Sequence, residues 1–345
     1  MFWSRINLTT NKKRVLVLSI LVYVVVFHVI YNSNFRSTSI TKQTNSWRFI
    51  AFWNQQQQSG YEDDDSKDVL DVHIEDPLMG HTGETMTETG GKRLHRQETL
   101  GTNSVAIGSG ITSKGLSDVN ETNIASKFQL FFTFIPTFCE TASPGFDYHF
   151  YFSYDSTDGL FKDTNFLWAF QRTFLNATSR LCSRNVTVSI HMVQCSHTGR
   201  PTWAQNDAML EAYLDNVEYY YRINDDTNLI TKNWTEMFIS VLRGYSPQHV
   251  GVVGPNHSGG NTAILTYDFV HRTHVDIFGF YYPRLFTDWW GDTWITRVYS
   301  PARLTKLENV RLDHTLGLGR RYEVKWEVQS KMQNQLDKDV VMLNR

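Results

Sequence analysis

Two adjacent carboxylates, Asp225 and Asp226, stand with Asn224 directly after the aromatic run VEYYYRI (217–223). The run predicts a buried strand, so these polar residues would lie at its carboxyl end. Neighbouring carboxylates repel each other unless a positive charge lies beside them, and oxygen ligands suit Mg²⁺ or Mn²⁺. The stretch therefore predicts a divalent metal site. The structural alternative is a turn with a helix cap, where Asp and Asn are also favoured.

A second acidic segment is FTDWWGDTWI (286–295). Indole rings offer flat surfaces on which sugar rings stack, and glycine lets the backbone approach a ligand closely. A nearby carboxylate could then accept a proton from an attacking hydroxyl. Alternatively, the indoles belong to the core and Asp292 caps a helix that begins near Thr293. The residues concerned are Asp288, Trp289, Trp290, Gly291 and Asp292.

A third segment, VRLDHTLGLGRRYEVKWE (310–327), combines one histidine with basic residues. His314 is a possible further metal ligand, although a single histidine is more often an ordinary polar residue. Arg320 and Arg321 could neutralise a diphosphate, because a guanidinium binds phosphate oxygens in bidentate fashion.

The elements that must position these residues follow from hydrophobic patterning. Aromatic and β-branched runs predict strands, Thr202 with Gln205 forms a capping box that predicts a helix start, and apolar residues three and four apart predict a second helix. This alternation predicts an α/β domain with a mostly parallel central sheet flanked by helices, in which ligands bind at the carboxyl ends of strands. The predicted strands are 128–135, 148–154, 186–193, 217–223 and 250–254, and the second helix covers 234–242.

The N-terminal third of the chain differs from the rest. An apolar run at 15–31 follows a basic cluster and predicts a transmembrane signal anchor whose N-terminal side is cytoplasmic. A cleaved signal peptide is the alternative, but no A-x-A pattern follows the run. The polar stretch at 32–126 predicts a flexible stem, since it cannot bury enough apolar surface to offset its ordering entropy. The full prediction is a cytoplasmic tail (1–14), the anchor (15–31), a luminal stem (32–126), a catalytic domain (127–326) and a C-terminal tail (327–345).

Charge and cysteine content narrow the possible partners and compartments. A formal net charge of −2 over 345 residues gives no reason to expect nucleic acid as a partner. Several N-x-S/T sequons are compatible with a secretory lumen. Three cysteines allow one disulfide and one free thiol, and Cys182 and Cys195, which flank one predicted strand, are the preferred pair.

Together, the tail, anchor, stem and luminal α/β domain resemble a Golgi-type type II membrane glycosyltransferase with a GT-A fold. RINDDT (222–227) resembles the DxD motif of that fold, with an amide at the first acidic position. DWWGDTW (288–294) is similar to the W-G-[E/D]-D region of inverting enzymes, although only one acid follows the glycine. HTLGLGRRYEV (314–324) resembles the C-terminal metal-binding histidine region. The resemblance covers about residues 127–326 and identifies no subfamily.

The resemblance implies transfer of a sugar from a nucleotide-diphospho-sugar to a hydroxyl of a glycan, glycoprotein or glycolipid, with inversion at the sugar. It also implies a single-pass type II protein of the Golgi or ER membrane that uses Mn²⁺ or Mg²⁺. The expected roles are metal binding by Asn224, Asp226 and His314, donor binding by Asp225, Asp226, Arg320 and Arg321, base catalysis by Asp292, and acceptor binding by Asp288, Trp289 and Trp290.

Two other classes of protein stay open on the sequence alone. A type II membrane lectin would bind glycans without consuming a nucleotide sugar. A different luminal metal-dependent hydrolase would use His271, His274 and His314 with zinc. His271 and His274 could share a helix face, but the glutamate of H-E-x-x-H is absent, so we interpret these two as structural histidines.

Overall fold

The part of the chain described by the computed structural model comprises residues 103–314 and 326–345. All of them belong to one compact unit, Arg93–Arg345. The predicted tail, the anchor at 15–31 and most of the stem lie outside the described residues, as do Arg320 and Arg321. Within the described ranges, no helix is long and apolar enough to cross a membrane.

A single mixed sheet forms the centre of this unit. Its strands are β1 (Ser104–Gly110), β2 (Asp147–Asp155), β3 (Thr187–Cys195), β4 (Tyr219–Arg222), β5 (Thr227–Leu229), β6 (Val252–Ser258), β7 (Phe269–His271) and β8 (Leu304–His314). Their order is β3-β2-β1-β4-β7-β6-β8-β5. Only β5 and β7 run against the other described strands, which confirms the predicted mostly parallel sheet.

Helices cover both faces of the sheet. They are α1 (Ile124–Lys127), α2 (Ile135–Thr141), α3 (Thr164–Leu181), α4 (Pro201–Leu214), α5 (Trp234–Gly244), α6 (Thr273–Phe278), α7 (Gly291–Tyr299) and α8 (Met332–Leu343), with a π-helix at Leu130–Phe134 and a 3₁₀ helix at Trp326–Lys331. Alternate residues of β4 enter opposite cores: Tyr219 and Tyr221 pack with α3 and α5, and Tyr220 packs with α4 and α7. Successive side chains of a strand point to opposite faces of the sheet, so the position of each residue determines the core into which it packs.

Strand β1 lies in the segment that the sequence predicted to be a stem. It pairs with β2 on one side and β4 on the other, and Val105, Ala106 and Ile107 have no exposed surface. This corrects the predicted domain boundary at residue 127. The composition of SVAIGSG is like that of the stem because α4 packs closely on this strand and requires a glycine there. A Cβ on Gly108 would lie 2.5 Å from the Met209 side chain.

Two further segment predictions were wrong. FQLFFTFI (128–135) is helical, and its aromatics recur at helical spacing as far as Phe138, beyond the end of the predicted strand. Phe131 and Phe138 pack edge-to-face on Phe170 and Phe150. Residues after 326 are not a free tail, since α8 packs on α7 through a hydrogen bond from the Trp294 indole to Asp339.

The cysteine pairing also differs from the prediction. Cys139 on α2 is bonded to Cys182, the residue after α3, while Cys195 is free and buried. The two bonded cysteines are 43 positions apart in sequence. They meet because α2 and α3 pack side by side, a proximity that sequence spacing does not report.

Helix α4 confirms the predicted β-α-β unit but not its capping box. Arg200, not Thr202, is the N-cap residue, and no side chain caps this end. Gln205 instead accepts a hydrogen bond from Arg222 Nε at 3.0 Å. The sequence pattern therefore located the helix correctly while the two polar side chains serve other contacts.

Candidate functional site

The acidic turn predicted from the sequence lies at the carboxyl end of β4. β4 ends at Arg222, and the turn leads into β5, which pairs antiparallel with the end of β8. Thr227 is the register partner of His314, so this pairing brings the histidine to the acidic turn. His314 Nε2 is 3.2 Å from Asp226 Oδ1 and 3.5 Å from Asn224 Nδ2. Residues 90 positions apart thus converge as expected for one metal site.

The chemistry of this triad fits a divalent cation. The side chains of Asp226 and His314 are only 11% and 13% exposed. Asp226 Oδ1 is buried and lies 3.2 Å from His314 Nε2, but it has no hydrogen-bond partner within the described residues. Buried polar atoms normally have such partners, so this pair of facing ligand atoms is available to a cation. Carboxylate, amide and imidazole groups are ligands that Mn²⁺ and Mg²⁺ accept. Asp225 is buried beside them, 5% exposed.

Two consecutive glycines shape the wall behind His314. Gly259 and Gly260 follow β6 with φ values of +77° and +68°, a region that favours glycine. A Cβ at position 259 would lie 3.0 Å from the His314 carbonyl oxygen, and one at 260 would lie 3.7 Å from His314 Nδ1. The sequence analysis did not assign these glycines to the site. The signal that could have found them is the paired glycine directly after a short apolar strand.

Tyr267 also packs against His314. Its ring lies edge-to-face against His314, with centroids 5.9 Å apart. Burial raises the pKa of the Tyr267 phenol, and the negative charge of Asp226 raises it further, while Arg222 acts in the opposite direction. Tyr267 is therefore neutral. Its ring packs against His314 beside the predicted metal site and adds no charge there.

Arg222 connects the acidic turn to the second acidic segment. Its guanidinium donates to Gln205 and to the carbonyl of Thr266. Burial lowers the pKa of Arg222, but nearby Tyr282, Asp268 and Asp292 hold that pKa above its ordinary value. Arg222 is therefore a fixed positive charge between carboxylates. Sequence reasoning missed it, although an arginine at the end of an aromatic strand is itself a signal of buried charge pairing.

Asp292 lies in the first turn of α7, close enough to Arg222 for their charges to interact. Burial raises the pKa of the Asp292 carboxyl, and Arg222 partly offsets that effect. Asp292 Oδ1 also accepts a hydrogen bond from the Thr293 amide at 2.7 Å. A carboxylate with a raised pKa accepts protons more readily than an exposed one, which suits general-base chemistry. The helix-cap alternative is compatible with the same position.

Asp268 is the buried carboxylate that the sequence analysis missed. It has no exposed surface and accepts hydrogen bonds from the hydroxyls of Tyr281 and Tyr282, the latter at 2.5 Å. Burial raises the pKa of Asp268 to about 6, against the lowering effect of Arg222 and the two hydroxyls. The charge of Asp268 therefore interacts with that of Arg222. Its hydrogen bond to the Tyr282 hydroxyl also holds the Tyr282 ring in place.

The backbone of the Trp-Trp-Gly-Asp segment is tightly constrained. Trp290 has φ +82°, which is uncommon for a residue with a side chain. A Cβ on Gly291 would lie 2.9 Å from the Tyr282 ring, so this position accepts only glycine without movement. Trp289 is 44% exposed, whereas Asp288 is 7% exposed. Of the predicted acceptor-binding residues, Trp289 therefore offers an open indole face and Asp288 is largely covered.

The predicted histidine set for a hydrolase does not assemble. His271 pairs with Tyr219 at the start of β4, the opposite end from the acidic turn and His314. His274 is buried, with Nδ1 2.9 Å from the Tyr299 hydroxyl and Nε2 2.8 Å from a backbone carbonyl, and burial lowers its pKa to about 4. His274 is therefore a neutral structural histidine.

Comparisons with known proteins identify no family for the chain. No protein-family model and no curated protein matches the chain. Among solved structures, the chain is similar to S. aureus TarS, with a TM-score of 0.40 and 11% sequence identity. The match covers 69% of this chain and 39% of the TarS chain, so it spans well under half of that protein.

Proposed function

We propose that the chain is a metal-dependent glycosyltransferase of the GT-A type. It would transfer a sugar from a nucleotide-diphospho-sugar to a hydroxyl of a glycan, glycoprotein or glycolipid. The observation that supports this most directly is the meeting of Asn224, Asp226 and His314 at the carboxyl end of β4, where His314 Nε2 lies within 3.5 Å of polar atoms of both other residues. In sheets of this kind, ligands bind at that edge.

The predicted metal site would receive the diphosphate of the donor. Asn224, Asp226 and His314 would hold Mn²⁺ or Mg²⁺, which supplies positive charge where the leaving group becomes negative. Asp225, the neighbouring buried carboxylate, would contribute to binding of the donor and its metal. Arg320 and Arg321 would bind the diphosphate oxygens, as the sequence resemblance implies.

Asp292 would act as the base. It would accept the proton of the acceptor hydroxyl as that oxygen attacks the anomeric carbon, from the face opposite the departing diphosphate, which gives inversion. Arg222 would keep this buried carboxyl ionised, since its charge offsets the effect of burial. Trp289, with Trp290 and Asp288 behind it, would hold the acceptor sugar.

The proposed location rests on the N-terminal sequence. We propose that residues 15–31 anchor the chain in the Golgi or ER membrane as a single-pass type II protein, with the sheet domain in the lumen. The Cys139–Cys182 disulfide is consistent with an oxidising compartment.

The first experiment tests donor binding by the full-length chain, over a panel of nucleotide sugars with and without Mn²⁺. Asp226→Asn should remove the Mn²⁺-dependent part of the affinity. Asp313→Asn is the matched control, because Asp313 precedes His314 on β8 but bonds to Ser258 at 2.5 Å. Equal Mn²⁺-dependent affinity in both variants would refute the metal assignment.

The second experiment separates binding from chemistry. Asp292→Asn should bind donor and acceptor normally while the transfer rate falls by about 10²–10⁴-fold, because only the proton acceptor is lost. Turnover within a few-fold of the unmodified chain would refute Asp292 as the base. Glycan binding by the unmodified chain with no consumption of any nucleotide sugar would instead identify a lectin.

A further inference from the structure

A second group of metal-ligating side chains lies at the same edge of the sheet, on strands that the proposed reaction does not use. β2 ends at Asp155 and β3 at Cys195, and these two residues are register partners. His197 follows two residues later. One ligand atom from each of the three lies within 4.8 Å of those of the other two. The parallel pairing of β2 and β3 is what holds these donors together.

Asp207 of helix α4 lies beside this group. Its Oδ2 lies 3.1 Å from His197 Nε2, and its carboxylate is hydrogen-bonded to the Cys195 thiol. The His197 side chain is 10% exposed, and its Nδ1 is buried with no hydrogen-bond partner within the described part of the chain. Two carboxylates therefore crowd a buried imidazole and a buried thiol.

Negative charge surrounds the thiol on two sides, and Arg284 lies close enough to Asp207 for their charges to interact. Burial raises the pKa of the Cys195 thiol, and the charges of Asp207 and Asp155 raise it further. A bound divalent cation would add positive charge among Asp155, Cys195 and His197, whose ligand atoms already lie within 4.8 Å of one another.

We propose that Asp155, Cys195 and His197 bind one Zn²⁺ ion, with Asp207 hydrogen-bonded to His197. A mixed set of thiolate, imidazole and carboxylate ligands suits zinc, whereas Mn²⁺ and Mg²⁺ prefer oxygen. On binding, the Cys195 sulfur gives its proton to solvent and coordinates as thiolate, so one proton is released for each ion bound.

The ion would fix the loop between β3 and α4. Asp155 Oδ2 already accepts a hydrogen bond from the Gly199 amide at 2.8 Å, and Gly199 has φ +67°. The loop therefore turns back over the strand ends immediately before α4 begins at Pro201. Zinc would join the loop and two strands at a single point beside the proposed catalytic edge.

The test uses Co²⁺ as a probe on the full-length chain, purified without a histidine tag. The sequence contains three cysteines, and two of them form the disulfide, so Cys195 is the only thiol. We expect one Co²⁺ per chain with a sulfur-to-cobalt charge-transfer band, displaced by Zn²⁺. We expect the melting temperature to rise by ~5–10 °C at ~100-fold excess of metal over its Kd.

Three variants decide where the ion binds. Cys195→Ser should lose the charge-transfer band, and Asp207→Asn should weaken Co²⁺ binding by about 10–100-fold. Asp226→Ala should keep the band, because the proposed catalytic triad contains no sulfur. A band that persists in a chain inactive toward every nucleotide sugar would uphold the zinc site independently of the proposed function.

A measurement on the unmodified chain guards against a variant that does not fold. Alkylation of Cys195 in mild urea should slow at least tenfold when Zn²⁺ is added. No cobalt–sulfur band together with zinc-independent alkylation would overturn the proposal, and the thiol would then serve only as a hydrogen-bond donor to Asp207.

Discussion

Replacing Gly291 with alanine tests the packing that positions Asp292. The added Cβ would lie 2.9 Å from the nearest atom of the Tyr282 ring, about 0.5 Å closer than the 3.4 Å of ordinary contact. The ring cannot simply turn away, because it is fully buried and its hydroxyl bonds to Asp268. Either α7 must move outward with Asp292 or the hydrogen bond to Asp268 must lengthen.

The expected cost follows from this conflict. Inserting one methyl into a packed core costs about 1–3 kcal/mol. In a domain of this size each kcal/mol lowers the melting temperature by about 2–4 °C, so we expect a decrease of roughly 2–12 °C. A displacement of a catalytic group by about 1 Å can cost ~10²-fold in rate, so transfer should fall by more than stability alone explains.

The assay compares Gly291→Ala with Gly244→Ala. Gly244 ends α5, is exposed, and has no atom within 4 Å of an added Cβ. Alanine there should be neutral or stabilise by up to about 1 kcal/mol, because it removes the entropy cost of a helical glycine. Thermal unfolding and transfer rate are measured for both variants. Two variants that melt and turn over alike would refute the described contact between α7 and Tyr282.

The remaining predictions concern the buried charge and the cross-link. Arg222→Met removes the cation that lowers the pKa of Asp292, so that pKa should rise, and the acidic limb of the pH–rate profile for transfer should move to higher pH by about 1–3 units. Arg222→Lys keeps the charge and should move this limb less. Identical acidic limbs in the two variants would contradict the pairing of Arg222 with Asp292. Reducing the Cys139–Cys182 bond opens a loop with a sequence separation of 43, so the free energy of unfolding in urea should fall by about 4 kcal/mol, whereas equal midpoints with and without reductant would contradict that contribution.

How far the sequence predicts the fold depends on where each element is buried. Strands β2, β3 and β4 were predicted because their aromatic runs report burial directly. Strand β1 was not, because close packing against α4 requires Gly108 and leaves few large side chains. FQLFFTFI (128–135) predicts a strand because a short run of phenylalanines fits the periods of both strand and helix. Only the spacing continued to Phe138 favours the helix that the structure has.

For the site, motif residues at strand ends were predictable and their supports were not. The acidic turn and His314 meet through the pairing of β5 with β8, as the order of the motifs indicated. Asp268 and Tyr282 carry no motif, since their role depends on burial beside Arg222, which only the assembled structure reveals.

The position of β1 has a practical consequence for shortening the chain. Any version that begins after Gly110 would remove the strand between β2 and β4 and leave both with unpaired backbone groups along one side. Such open edges pair with other chains, so an N-terminal trimming chosen by composition alone would give aggregates in place of folded protein. Versions that start a few residues before Ser104 keep the strand.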